Sequence, residues 1–327
     1  SIVNFERYKD DSDTFLLVGT IKDYVMMPKS FTSCYVHTFL LDENGKKMQA
    51  IHTTTMDGIP YSLAPHKGKV LAGIGYMLRM YDLGKKQLLK KCEYKHLYMG
   101  VNNIFTFGER IFVTDLSDSF HLLKHKTNEN QFVEIADDVL PRWITSAAVL
   151  DYHTLVGADK FQNLFVCRLP ESVDEEVNED FFTYKFKWEA GYLNGAACKF
   201  EQICNYFYGE VVNSIHKVAL TSTSSETIFF ATTNGSLGVL FPFETKEEVD
   251  FFIHLEMNMR MENQPLSGRD HMAYRSYHGA VKNVVDGDFC EQYITMDTAK
   301  QTLLAEEVDR RPVEVIKKLE DIRNRIL

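Results

Sequence analysis

Apolar runs recur along this chain at a nearly constant spacing, and each of three clear copies follows a turn and precedes a second apolar run. The first runs are residues 69–73, 110–115 and 153–159, and the second runs are 77–81, 120–123 and 164–168. Aligning Val70, Ile111 and Thr154 gives spacings of 41 and 43 residues. Such regular spacing indicates a repeated unit that is built from several short strands.

Two weaker copies extend the repeat towards both ends of the β-rich region. Residues 15–19 precede 34–39, and residues 227–231 precede 238–241. A period of about 40–45 residues with about four strands per unit is typical of propeller blades. We therefore predict a mainly β protein with WD40-like β-propeller blades over residues 1–243. The alternative is a β-sandwich whose spacing is coincidental.

Turn signals support the repeat, because consecutive units carry them at similar positions. Residues 82–86 and 126–130 are predicted to connect strands within two successive units. Residues 42–45 contain Asn-Gly, which supplies the positive φ angles of a tight hairpin turn. In residues 198–220, apolar and polar positions alternate again.

The pattern changes to helical spacing after Phe243, and residues 244–327 are predicted to form a small α-helical C-terminal domain. Residues 245–248 fit a capping box at the start of a first helix, which Pro265 is expected to end. Further helices are predicted over 270–277, from Asp286 or Asp288, and around Leu303, Leu304 and Val308. The last helix begins at Pro312. Its apolar stripe consists of Val315, Leu319, Ile322 and Ile326.

Two neighbouring stretches allow both a structural and a functional interpretation. Residues 171–180 carry six acidic residues and no basic one, which favours a solvated loop over a contact for a basic partner. Residues 182–188 alternate aromatic and polar positions. This alternation favours a strand with one aromatic face, and the alternative is a surface on which single-stranded RNA stacks.

Composition narrows the class of protein. The 327 residues are 45% hydrophobic and 25% charged, as in ordinary globular proteins. No run of apolar residues is long enough to predict a membrane span. The chain begins at Ser1 without a signal-like segment, so we expect it to be a piece of a longer protein. The net charge of −10 argues against broad binding of a phosphate backbone and favours protein partners.

Six scattered cysteines without a Cys-x-x-Cys spacing predict reduced thiols, as in the nucleus or cytosol. Cys34 and His37 lie three residues apart, so on a strand they face opposite sides and do not form half of a metal site. No nucleophile elbow, phosphate-binding loop or calcium loop occurs in the sequence. We therefore predict no catalytic residues, no metal site and no cofactor, and we expect the protein not to be an enzyme.

A cluster of charged and aromatic residues in the helical region is the candidate functional site. Asp270 and His271 are adjacent, so on a helix they point about 100° apart and do not form a catalytic triad. An ion-pair network that ties the helices to the blades explains the cluster better. The candidate domain-junction or partner-binding residues are Arg269, Asp270, His271, Arg275, Tyr277, Asp286 and Asp288.

The residues 268–277 and 281–292 resemble the C-terminal signature of the cleavage-and-polyadenylation-factor A family. Further stretches are similar to the splicing branch of that family and are distributed over nearly the whole chain. They are residues 81–86, 126–131, 136–138, 141–143, 157–161, 193–196 and 317–323. Residues 1–13 carry no such resemblance.

This resemblance implies the last propeller and the helical end of a protein about three propellers long, with the propeller ring completed by upstream chain. It implies a nuclear, non-catalytic scaffold in the splicing factor 3b complex, within the ribonucleoprotein that recognises the intron branch site during pre-mRNA splicing. The implied partners are the large helical-repeat subunit and a very small subunit. RNA would be contacted at most indirectly, with no membrane and no small-molecule substrate.

Other functions remain open at the level of the sequence. One is that of the related propeller adaptor in ubiquitin ligases that handle damaged DNA, and another is that of a polyadenylation factor subunit. A different class would be a propeller hydrolase or a propeller that binds RNA directly.

Overall fold

The computed structural model describes residues 1–5, 13–41, 47–173, 195–220, 226–262 and 268–326. The chain divides into two compact units. The first consists of residues 1–147, 151–154 and 168–201, and the second of residues 148–150, 155–167 and 202–327. The predicted boundary between residues 243 and 244 stays a prediction.

Two four-stranded antiparallel sheets open the chain, each with its strands in sequence order. The first contains β1 (Ile2–Val3), β2 (Thr14–Lys22), β3 (Ser33–Leu41) and β4 (Met48–Met56). The second contains β5 (Pro60–His66), β6 (Lys69–Ile74), β7 (Met77–Asp82) and β8 (Leu89–Tyr94). Lys67 and Gly68 both adopt positive φ in the turn between β5 and β6, as a two-residue hairpin requires.

The third sheet follows the same plan and gains one strand from a distant part of the chain. Its consecutive strands are β9 (Val101–Phe107), β10 (Arg110–Asp115), β11 (Phe120–Lys126) and β12 (Gln131–Asp137). The short strand β16 (Cys198–Lys199) pairs in parallel with the end of β12.

Two further sheets complete the described β structure. The fourth has the order β13 (Ile144–Val149), β14 (Thr154–Asp159), β15 (Asn163–Arg168) and β17 (Glu201–Phe207). The fifth contains β18 (Val212–Val218), β19 (Thr227–Thr232) and β20 (Leu237–Leu240). Residues 198–220 therefore belong to strands of three sheets and not to one alternating element.

The prediction of repeated blade units is confirmed by the position of each copy in its sheet. The first apolar run of every predicted copy forms the second strand, which is β2, β6, β10, β14 or β19. The second run forms the third strand, which is β3, β7, β11, β15 or β20. Five small sheets with this common order are blades of the propeller type, and the sandwich alternative is not supported.

The second strands of the second, third and fourth sheets are buried on both faces. Every residue of β10 and β14 is buried, and so are five of the six residues of β6. Within the first unit, one core joins the first two sheets around Phe15, Val36 and Val70. Another joins the second and third sheets around Leu78 and Ile111. Each fully buried apolar side chain of this size contributes about 1.5–3 kcal/mol to folding.

The helical region contains five α-helices among the described residues and one short 3₁₀ helix. They are α1 (Lys246–Glu262), α2 (His271–Arg275), α3 (Gly287–Glu291), the 3₁₀ helix (Gln292–Thr295), α4 (Thr298–Glu307) and α5 (Pro312–Ile326). Their common core includes Leu255 and Met259 of α1, Tyr293, Leu304 of α4 and Val315 of α5.

The helices predicted after Thr245 and around Leu304 are present as α1 and α4. Leu304 is buried, but Leu303 is 45% exposed, because only one of two adjacent residues on α4 faces the core. At the start of α1, Thr245 Oγ1 accepts from the Glu248 amide at 3.2 Å, as a capping box requires. The Glu248 carboxylate reaches back over the start of the helix, where it accepts from the Glu244 amide at 3.2 Å and also interacts with the Thr245 amide.

In the stripe of α5, Val315 and Leu319 are buried and Ile322 packs against the same core. Several predictions lie outside the described residues. These are the hairpin turn at 42–45, most of the acidic stretch, the aromatic strand at 182–188, the helix-ending Pro265 and the side chain of Ile326.

Cys34, Cys92 and Cys290 are buried thiols. Burial raises the pKa of all three, that of Cys92 to about 11, so their thiols stay protonated at neutral pH. Among the described helices, none combines the length and the apolar character needed to cross a membrane.

Candidate functional site

Asp286 lies at the centre of the candidate site, and both its backbone and its carboxylate are engaged. The residue is 4% exposed and caps α3, where Oδ1 accepts a hydrogen bond from the Phe289 amide at 3.2 Å. This confirms the prediction of a helix that starts from Asp286. Its backbone amide donates to Oε1 of Glu256 on α1 at 3.0 Å. Asp286 therefore fixes the start of α3 against α1.

Two basic side chains of α2 converge on the other carboxylate oxygen of Asp286. His271 Nε2 lies 2.9 Å from Oδ2, and Arg275 Nε donates to the same oxygen at 2.8 Å. His271 and Arg275 are four residues apart, so they lie on one face of the helix. The imidazole also stacks on the ring of Phe289, with the centroids 4.2 Å apart and the planes 11° from parallel.

The electrostatics of this cluster favour an ionised Asp286. Burial by itself raises the pKa of the carboxyl, but the hydrogen bond from His271, the charge of Arg275 and the hydrogen bond from the Tyr206 phenol outweigh it. Together they hold the pKa of Asp286 well below its usual range. Burial and the nearby Asp286 charge raise the pKa of Tyr206, which keeps the phenol a hydrogen-bond donor.

Arg275 also reaches the last strand of the fourth sheet. Its Nη1 donates to the carbonyl oxygen of Tyr208 at 2.8 Å and to that of Phe207 at 3.3 Å. Its guanidinium carbon lies 4.9 Å from the centroid of the Tyr206 ring and 5.3 Å from that of Tyr274. One side chain thus bridges α2, the cap of α3 and the end of β17, all within the second unit.

The segment after α2 pairs with β17 beside this cluster. The amide of Asn205 donates to the carbonyl of Lys282 at 3.1 Å, and the amide of Lys282 donates back at 3.0 Å. Asn283 Nδ2 donates to the carbonyl of Ile203 at 3.0 Å. Because β17 is the outermost strand of its sheet, these bonds cover an edge that would otherwise present unpaired backbone groups.

The remaining predicted site residues lie around the cluster. Asp270 pairs with Arg260 of α1, with Nη2 and Oδ2 2.6 Å apart, in an exposed position. Tyr277 is 63% exposed and packs against Phe207 with the ring centroids 5.4 Å apart. Arg269 and Asp288 are exposed. The structure therefore brings His271, Arg275 and Asp286 together, places Tyr277 beside them, and leaves Arg269, Asp270 and Asp288 at the periphery.

Sequence reasoning missed Glu256 and Tyr206. Glu256 is buried although it is acidic, and it lies on the same face of α1 as Phe252 and Met259. A charged residue on the apolar face of an amphipathic helix is a signal that could have found it. Tyr206 gives no such signal, because a tyrosine within a β-rich run is ordinary.

A second buried network accounts for several of the stretches that carry the family resemblance. Asp137 accepts from the Ala196 amide at 3.1 Å and pairs with Lys199, which fixes β16 beside β12. Asp138 pairs with Arg142 in a buried position and accepts from the amide of Leu140. The stretches 136–138, 141–143 and 195–196 therefore have a structural role in the first unit.

Chemically, the Asp286 cluster is an ion pair with its hydrogen bonds satisfied by fixed partners. Both carboxylate oxygens are occupied, and Arg275 is shared between the carboxylate and two backbone carbonyls. Within the described ranges, no group of three or more His, Cys, Asp or Glu residues has an arrangement that could hold a metal ion. Such a cluster is suited to holding secondary-structure elements together.

Comparison with known proteins identifies relatives that are all named as splicing factors. Splicing factor 3B subunit 3 from Danio rerio is 47% identical over 313 residues, which are 96% of this chain and 26% of that protein. Probable splicing factor 3B subunit 3 from Dictyostelium discoideum is 45% identical over 320 residues, which are 98% of this chain and 26% of that protein. Pre-mRNA-splicing factor RSE1 from Mycosarcoma maydis is 40% identical over 313 residues, with coverage of 96% and 26%.

The chain spans about a quarter of the length of these curated relatives, which is 26% for each of the three. The family model for the CPSF A subunit region matches residues 1–295. This match covers all the described strands and the Asp286 cluster. The blade repeat, the helices that follow it and this match agree, and the chain belongs to the CPSF A subunit family.

Proposed function

We propose that this chain is part of a non-catalytic scaffold subunit of the splicing factor 3b complex, which acts in pre-mRNA splicing in the nucleus. The observation that carries the proposal is the 47% identity to splicing factor 3B subunit 3 over 96% of the chain. Blade-type sheets offer large surfaces of loops and strand edges for protein contacts, which suits a scaffold.

The proposed partners are protein subunits of the same complex, namely the large helical-repeat subunit and the very small subunit. A scaffold must present its contact surfaces in a fixed geometry, because a mobile surface loses binding free energy when it becomes ordered. The second unit meets this requirement around Asp286, where α1, α2, α3 and β17 are joined by one network.

We propose that the Asp286 cluster is the junction that fixes the helices to the last strand of the fourth sheet. His271 and Arg275 are its essential members, and Tyr277 extends it over Phe207. Arg269 and Asp288 are exposed and are proposed to be dispensable for the junction itself.

Affinity purification of the tagged protein from nuclear extract, followed by mass spectrometry, tests the function. We expect the splicing factor 3b subunits to be recovered in near-stoichiometric amounts. Recovery of ubiquitin ligase components or of cleavage and polyadenylation factors in their place would support a related adaptor and contradict the proposal.

The Arg275→Ala variant tests the junction within the same experiment. We expect it to recover less of the complex, and we expect the matched variant Arg269→Ala to recover the normal amount. Equal recovery of partners by both variants would contradict the role of the cluster as a junction. It would not contradict the scaffold function.

A further inference from the structure

Six lysines gather at one end of the second and third sheets, although they come from three separate segments. In a sheet of consecutive antiparallel strands, the first and third connections lie at the same end. In the second sheet, these are the β5–β6 turn and the β7–β8 connection. In the third sheet, they are the β9–β10 turn and the β11–β12 connection. The six lysines are Lys67, Lys69, Lys85, Lys86, Lys124 and Lys126.

Contacts across the two sheets show that these ends lie side by side in the first unit. Lys67 Nζ in the β5–β6 turn is 2.5 Å from Oε1 of Glu109 in the β9–β10 turn. Asn130, which precedes β12, donates from Nδ2 to the carbonyl of Lys91 on β8 at 2.8 Å. The six lysines therefore form one surface, which we call the lysine end.

Acidic residues balance only part of this charge. Glu109 pairs with Lys67 and lies 3.8 Å from Lys124 Nζ. In the part of the chain that the structure describes, no carboxylate is within ion-pair distance of Lys69, Lys85 or Lys86. Lys85 and Lys86 are fully on the surface. The lysine end thus concentrates positive charge on a chain whose net charge is −10.

The same lysine charges act on a neighbouring buried histidine. Burial lowers the pKa of His66, and the charges of Lys67, His125 and Lys69 lower it further, to about 4. A positive potential that disfavours a further positive charge attracts an anion.

We propose that the lysine end binds single-stranded RNA by its phosphates, which is a function beyond that of a protein scaffold. Lysine ammonium groups act as point charges that neutralise phosphates of a flexible strand without a fixed geometry.

An aromatic surface next to the lysine end supports RNA over a peptide. Phe107 is 50% exposed and directly precedes the turn that carries Glu109. Its ring contacts that of Tyr152 edge to face, with the centroids 5.4 Å apart, which fixes its orientation. A positioned, half-exposed ring beside a row of cations is the arrangement on which bases of a single strand stack.

Fluorescence anisotropy with an oligouridine of about 20 nucleotides tests the proposal on the purified full-length protein. The test variant is Lys85→Glu with Lys86→Glu, since both side chains are exposed and outside the core. The matched control is Lys246→Glu with Lys300→Glu, which makes the same change in net charge on exposed residues of the helical region. Circular dichroism melting checks that each variant is folded.

We expect the test variant to bind RNA at least about tenfold more weakly at low salt, and the control to change affinity by less than about twofold. The slope of the logarithm of the binding constant against the logarithm of the salt concentration should become less negative by about 1.4. The test variant loses two lysines, and each phosphate contact on a single strand contributes about −0.7 to that slope. Phe107→Ala should weaken RNA binding about fivefold or more through lost stacking.

Several outcomes would overturn the proposal. These are no RNA binding by the folded protein, equal losses in the test and control variants, or a polyglutamate peptide that binds as tightly as RNA and does not respond to Phe107→Ala. The last outcome would indicate an acidic protein partner. The proposal rests on the splicing function only in that pre-mRNA splicing would supply the RNA. Co-purification of the splicing factor 3b subunits is a separate measurement, so its result does not depend on whether the chain binds RNA.

Discussion

At the scale of residues, the buried charged side chains Arg79 and Asp286 are each held by fixed partners. Arg79 of β7 is nearly inaccessible to solvent and donates to Oδ2 of Asp57 at 2.8 Å and to Oε2 of Glu93 at 3.1 Å. Asp286 is held in the same way by His271 and Arg275. Removing one member of such a pair leaves an uncompensated buried charge, which costs far more than the loss of an exposed ion pair.

Arg275→Ala should therefore lower the free energy of unfolding by about 3–5 kcal/mol, because it leaves the Asp286 carboxylate without its main countercharge. The change also removes hydrogen bonds to two backbone carbonyls of the fourth sheet. Chemical denaturation of the purified protein, followed by circular dichroism, measures this effect. Arg269→Ala, at an exposed position just before α2, is the control and should have almost no effect. Similar small losses in both variants would mean that the cluster does not stabilise the second unit.

His66 makes stability depend on pH. Its pKa is lowered from 6.5 to about 4, first by burial and then by Lys67, His125 and Lys69. The unfolded chain takes up a proton below pH 6.5, whereas the folded chain resists until about pH 4, so acid favours unfolding in that window.

Replacing His66 with Leu should make stability less sensitive to pH between 6.5 and 4, by about 2–3 kcal/mol over that window. Thermal melting at a series of pH values measures this difference against the wild type. His96→Gln, in an exposed position, should leave the pH dependence unchanged. A His66→Leu profile that runs parallel to the wild type would show that His66 is not the group responsible.

At the scale of elements, a polar residue at the end of the second strand closes the following turn in three sheets. Asp115 accepts from the amide of Ser117 at 2.8 Å, and Asp159 accepts from that of Phe161 at 2.9 Å. Thr232 accepts from the amide of Ser236 at 3.1 Å. Short polar side chains of this type fix a turn by bonding to its backbone, which sets the register of the next strand.

Close packing between the second and third sheets requires a glycine. A Cβ atom at Gly73 in β6 would lie 2.4 Å from Cγ1 of Val101 in β9. Gly73→Ala should therefore lower the free energy of unfolding by about 1–3 kcal/mol through overpacking. Adding Val101→Ala should recover part of this loss, so that the double variant is more stable than the sum of the single effects predicts.

Gly287→Ala is the matched control for this double-mutant cycle, because a Cβ there meets nothing within 4 Å. Denaturation midpoints of the four proteins give the coupling free energy. If the effects of Gly73→Ala and Val101→Ala on the free energy of unfolding are strictly additive, the two positions do not share a contact. That result would contradict the close packing of Gly73 against Val101.

At the scale of the whole molecule, one edge of the fifth sheet pairs with no other strand among the described residues. β20 pairs with β19 on one side, and no other described strand pairs with its second side. Leu237 on this strand is 84% exposed. Open, apolar strand edges favour association with other chains. The purified chain by itself is thus expected to be poorly soluble and of low stability.

Leu237→Lys should reduce concentration-dependent association of the purified chain without lowering its melting temperature, since lysine on an edge strand opposes pairing with another edge. Sedimentation velocity over a range of protein concentrations measures this. Val313→Lys, at a highly exposed position of α5 away from any strand, is the control and should leave association unchanged. A wild-type chain that stays monomeric and melts cooperatively at all concentrations would contradict the role given to the β20 edge.

The sequence by itself determined where the strands and helices lie and how they repeat. The spacing of Val70, Ile111 and Thr154 placed each in the second strand of its own sheet, as the structure has them. The cap at Asp286 and the buried stripe with Val315 could also be predicted. These features depend on alternation, periodicity and turn chemistry within a few neighbouring residues, so a local pattern is sufficient to find them.

Only the tertiary structure decided which distant groups meet. Arg275 bonds to the carbonyls of Phe207 and Tyr208, which lie 68 and 67 residues earlier in the chain. The six lysines come from separate turns and strand ends, so a net charge of −10 hides the positive surface that they form together. Such encounters depend on the path of the backbone between the contacting residues. Coulomb and hydrogen-bond interactions depend on distances in space and not on separation along the chain. The pattern of residues along the sequence therefore does not predict which distant groups meet.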